Sequence, residues 1–85
     1  MKLLDQLLKK NPDSFIKTVV LFKRDFNRET FSYHKFNELV KLCNEDDDYK
    51  DLVFVDGVIQ KSLLGEDLLY CFVVTKDYYE LFGTT

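Results

Sequence analysis

One histidine, two cysteines and one run of carboxylates are the side chains with which this 85-residue chain could build catalytic or metal chemistry. His34 would have to be the base of any histidine-dependent reaction. On a helix over residues 33–44, it falls about 170° from the centre of the apolar stripe and therefore in solvent. Cys43 lies roughly 13 Å further along that helix axis, whereas a nucleophile and its base need a separation of about 3 Å. Cys43 and Cys71 both sit in apolar patterns, as buried free thiols do. Two cysteines and one histidine without local spacing do not make a zinc site.

Glu45, Asp46, Asp47 and Asp48, followed by Asp51, invite a calcium reading. A calcium loop needs a central glycine and a closing glutamate. A frame starting at Asn44 puts Tyr49 and Val55 at those positions, and one starting at Asp46 puts Asp51 and Gly57 there. Both frames fail, and these five carboxylates are instead candidates for contacting a basic protein partner. Lys23, Arg24 and Arg28, interleaved with Phe22, Phe26 and Phe31 and followed by Lys35, form a candidate nucleic-acid contact, with cations for phosphates and rings for bases. A sequence pI ≈ 5.0 favours a protein partner over nucleic acid. No nucleophile elbow, phosphate-cradling glycine loop or dinucleotide fingerprint occurs. The sequence therefore predicts neither catalysis nor a cofactor.

The elements that would position these groups follow from periodicity. Leu3, Leu4, Leu7 and Leu8 share one face of a helix over residues 1–10, which Asn11-Pro12-Asp13 ends. Residues 14–24 carry Ile16, Thr18, Val19 and Val20 and read as a strand. A helix started by Pro12 would instead align Phe15, Val19, Phe22 and Phe26. After a polar turn at residues 25–29, Ser32 is placed to cap a helix over 33–44, whose stripe is Phe36, Leu39, Val40 and Cys43. Residues 44–51 read as a solvated acidic loop. Residues 52–55 and 58–63 read as strands flanking an Asp56-Gly57 hairpin turn. A turn at Gly65-Glu66-Asp67 leads to a last strand over 68–75. Thr75 then caps a helical turn that Gly83 ends.

The expected fold is α+β: a small single domain over residues 1–85, in the order α-β-α-β-β-β-α. Its four-stranded, largely antiparallel sheet would have helices on one face. The longest apolar runs are far below the ~18 residues of a membrane span. With no charged-then-apolar leader, the expectation is a soluble, cytoplasmic protein without membrane association.

Net charge is −3, divided between +4 in residues 1–41 (nine basic, five acidic) and −7 in residues 42–85 (three basic, ten acidic). The chain has no alanine, one proline, three glycines and two arginines against ten lysines, the signature of an AT-rich genome. Small size, absent chemistry, an acidic second half and that signature favour a non-enzymatic protein-interaction module. They fit a phage or mobile-element inhibitor that blocks a host defence or nucleic-acid-handling protein such as a nuclease, CRISPR complex or toxin. The alternative is a small regulator that contacts RNA or DNA through Lys23, Arg24 and Arg28. The strands are apolar on both faces: Leu68, Tyr70, Phe72 and Val74 oppose Leu69, Cys71 and Val73. A sheet with one face left over predicts a homodimer.

Overall fold

A computed structural model describes residues 2–11, 15–26 and 28–83. The elements run α1 (Leu3–Lys10), β1 (Thr18–Arg24), β2 (Glu29–Lys35), α2 (Phe36–Glu45), α3 (Asp47–Lys50), β3 (Val53–Lys61), β4 (Asp67–Val74) and α4 (Lys76–Phe82). The four strands form one sheet in the order β2-β1-β4-β3. β1 pairs antiparallel with β2 and β3 with β4, while the central pair, β1 and β4, is parallel. The fold is α+β with a mostly antiparallel four-stranded sheet. No helix among the described residues is long and apolar enough to cross a membrane.

The core lies between the sheet and two helices. Leu3 and Leu7 of α1 and Leu39 and Cys43 of α2 join Val19, Leu21, Leu69, Cys71 and Val73 in one buried cluster. The alternation expected for β1 and β4 holds, with these odd-numbered strand residues turned to the helices. The Leu3 N–H donates to the Leu52 carbonyl (3.2 Å), tying α1 beside β3. Asn11 is buried, and its side-chain amide exchanges two hydrogen bonds with the Ile16 backbone, at 3.1 and 3.0 Å. That clamp sets the entry to β1, which begins at Thr18 as a strand rather than the alternative helix. The proline and aspartate of the expected Asn11-Pro12-Asp13 break lie outside the described residues, as do Ser14 and Asn27.

Three local expectations are corrected. Residues 29–35 form β2, and α2 starts only at Phe36. Thr30, Phe31 and Tyr33 suit a pleated strand, and pairing with β1 gives their backbone a ladder that the first turn of a helix would lack. The Ser32 hydroxyl caps no helix and instead meets His34 Nε2 at 2.6 Å.

The second correction concerns Asp56-Gly57, which is no turn: β3 runs through it, with a register shift between Phe54 and Asp56. Gly57 is there for space. A Cβ at that position would fall 2.9 Å from the Phe54 ring. The β3–β4 hairpin turns at residues 62–66 instead, where Gly65 has φ 84° and its N–H donates to the Ser62 carbonyl.

Third, the acidic loop contains the single turn α3, capped by the Asp46 carboxylate accepting from the Asp48 N–H at 2.9 Å.

Candidate functional site

Among the described residues, no helix crosses the centre of the sheet face turned away from α1 and α2, and most side chains on this face are aromatic. Strand register puts Val20, Phe22, Phe31, Tyr33, Tyr70, Phe72 and Val58 on this side. Phe22 is the hub, with ring centroids 5.0 Å from Phe72, 6.0 Å from Phe31 and 6.1 Å from Tyr70. Phe31 in turn meets Tyr33 edge-on at 6.2 Å. Phe31 is 63% exposed and Tyr33 67%, so both rings present most of their surface to solvent.

At one end of this face, α4 forms a wall. Thr75 caps the helix by accepting from the Tyr78 N–H at 3.3 Å, and its own N–H donates to the Arg24 carbonyl at 3.2 Å. Tyr78, Phe82 and Phe26 pack together with centroids 5.0–6.1 Å apart. An open groove of ≈ 590 Å³ runs between Tyr78, Phe22, Phe31 and Phe72. Arg24 and Glu29 form a salt bridge at its rim, and the hydrogen bonds Arg24 makes to Glu29 and Tyr78 raise its pKa further. Asp56 lies on the opposite rim. The groove thus has an apolar, aromatic centre with charged residues at its rim.

The basic residues singled out from sequence are not gathered on this face. Arg24 faces the groove but is held by Glu29. Lys23, the neighbour of Arg24 on β1, points to the other side of the sheet. Arg28 lies in the β1–β2 turn. Lys35 is at the far end of β2, opposite Thr18, about 20 Å from Arg24 by strand rise.

The acidic residues do form one local group, but on the helix layer. Glu45 ends α2, Asp46 caps α3, Asp47 and Asp48 fill its first turn, and Asp51 follows it. Asp47 approaches Lys50 at 3.7 Å. Asp46 therefore has a structural duty that its place in an acidic run had hidden.

His34 is corrected most. It lies on β2, half-buried, with its ring edge-on to Tyr49 at 5.9 Å. Burial lowers its pKa below the ordinary 6.5, against a smaller upward pull from Glu38. Cys43 and Cys71 are free and buried. Burial pushes their thiols up to about 11 and about 12, respectively, which keeps them protonated and unreactive. Among the described residues, no group of three or more His, Cys, Asp or Glu side chains is arranged to hold a metal ion.

Sequence reasoning grouped Phe22 with Phe31 but missed Tyr33 and Tyr78 as members of the same surface. The available signal was the two-residue alternation of Phe31, Tyr33 and Lys35, which a helix reading discards. No family model matches this chain, and neither does any curated protein or solved structure.

Proposed function

We propose that this protein is a non-enzymatic interaction module that binds a protein partner through the open aromatic face of its sheet. The observation that carries this reading is the exposure of Phe31, Tyr33 and Phe72 around the half-buried Phe22. A contiguous apolar surface rimmed by charge marks an interaction site. Aromatic rings contribute the largest contact area for the least lost side-chain freedom. A protein fits better than a nucleic acid because the cations needed for phosphates are dispersed or already paired. The finer reading, a phage or mobile-element inhibitor that occludes a host nuclease or similar protein, is supported by the AT-rich composition and the five carboxylates from Glu45 to Asp51. Those carboxylates would meet a basic partner surface and speed its approach.

The test is affinity capture from cells with wild type, Phe72→Ser and the double variant Asp47→Asn/Asp48→Asn, each shown to be folded by circular dichroism. A discrete protein retained by wild type and lost with Phe72→Ser supports the reading. Slower capture with the Asp variant at low salt supports the acidic contribution. A partner held equally by Phe72→Ser overturns the assignment to this face. Binding of random oligonucleotides that weakens steeply with salt would move the assignment to nucleic acid.

A further inference from the structure

The two edges of the sheet are built differently. On β3 the chain bridges Lys2 to Val53, α1 begins beside Leu52, and the register breaks between Phe54 and Asp56. Bulges and covering chain are the usual protections of an edge strand. Among the described residues, β2 has neither a bulge nor a strand across its outer side. It pairs with β1 from Glu29 to Lys35 without a register shift and contains no proline.

Two hydrogen bonds fix which groups that outer side presents. The Asp25 N–H donates to the Arg28 carbonyl at 3.0 Å, and the Phe36 N–H donates to the Lys17 carbonyl at 2.9 Å. They bracket the β1–β2 ladder and turn the backbone of the even-numbered β2 residues toward β1. Glu29, Phe31, Tyr33 and Lys35 therefore direct their N–H and C=O groups outward.

The geometry points to this edge as the docking site for a second copy of the same strand, antiparallel about a two-fold axis at Ser32. In that register Glu29 stands opposite Lys35 of the second copy, and Phe31 opposite its Tyr33. Both pairs are repeated by the symmetry, and every outward backbone group finds a partner. Moving the axis to Phe31 sets Glu29 against Tyr33, and moving it to Tyr33 sets Phe31 against Lys35. Only the Ser32 axis pairs the charges. Cross-strand ion pairs and aromatic pairs are the contacts that fix such registers. Glu29 keeps Arg24 on its inner side and gains Lys35 on its outer side. The aromatic row Phe72, Phe22, Phe31 then continues into Tyr33 of the second copy, so the interface closes as a two-fold dimer and leaves the open faces side by side.

The register itself is testable. At the axis the two Ser32 residues form a non-hydrogen-bonded pair, with Cα atoms about 4.5 Å apart, within disulfide reach. Wild type in sedimentation equilibrium at micromolar concentration should have about twice the 10.1 kDa chain mass. Ser32→Cys should cross-link under mild oxidation while Thr30→Cys does not, and the native thiols are buried and give no background. Lys35→Glu, which places like charges opposite each other twice, should weaken association by about tenfold. A mass that stays at 10.1 kDa on concentrating overturns the inference. So does a dimer that Ser32→Cys fails to cross-link, as pairing through the aromatic faces would give. Neither result bears on partner capture through Phe72, which lies two strands away from this edge.

Discussion

Phe22 and Phe72 stack across the central parallel strands with ring centroids 5.0 Å apart and planes 12° from parallel. They occupy paired positions on β1 and β4, so strand register alone brings them together. The same register puts Val19, Leu21, Cys71 and Val73 on the helix side. One sheet thus has a dry face sealed by α1 and α2 and an aromatic face that these two helices leave uncovered.

The Asn11 clamp predicts a stability loss. Asn11→Ala strips both partners from the Ile16 N–H and C=O in a site where Ile16 is 1% exposed. Leaving buried polar groups unsatisfied costs about 1–3 kcal/mol each. Chemical denaturation should show a loss of about 2–4 kcal/mol. An unchanged midpoint for Asn11→Ala would show that the clamp adds nothing.

At Gly57 the prediction concerns room. Gly57→Ala adds a Cβ 2.9 Å from Phe54 Cζ and 3.2 Å from Lys10 Cε. Lys10 yields easily, but the buried Phe54 ring must move out of the core. Overpacking of this kind costs about 1–3 kcal/mol, more than the entropy a Gly→Ala change recovers. The midpoint should fall for Gly57→Ala and recover in part when Phe54→Leu is added.

His34 gives a pH dependence with a defined sign. Its folded pKa lies below the ordinary 6.5 because burial disfavours the charged ring. The unfolded chain therefore binds the proton first. Stabilisation from the neutral ring is fully present above the unfolded value and is lost as pH falls from there through the folded value. Urea midpoints should drop between about pH 7.5 and about pH 5.5 in wild type and change less in His34→Gln. A histidine resonance that titrates above 6.5 would contradict this.

The thiols predict slow chemistry. With Cys71 0% and Cys43 5% exposed, and thiol pKa values of about 12 and about 11, a disulfide exchange reagent at mildly alkaline pH should react slowly with native protein. In denaturant it should react at once. Rapid labelling of the native protein at both positions would show that the core opens.

The sequence is clearest where period and partner agree. The stripe of Leu39 and Cys43, the alternation in β1 and β4, the Thr75 cap with Gly83 after α4, and the turn around Gly65 are each set by residues close together in the chain. Both thiols belong to the core because they lie inside such patterns. The glycine at 57 was misread because Asp-Gly favours a hairpin wherever nothing else competes, and here the Phe54 ring needs the space.

The candidate surface was hidden for a different reason. Glu29 to Lys35 carries a strand alternation that runs without a breaker into the helical stripe beginning at Phe36, so local pattern supports either element. Pairing with β1 decides it, by giving those residues hydrogen bonds that a helix end would leave open. The sequence by itself determined the α+β class and the surplus of apolar side chains on both faces of the sheet. Which rings share a face, which cations are kept apart and which edge is left unprotected were decided only by the tertiary structure, because they depend on which strands become neighbours.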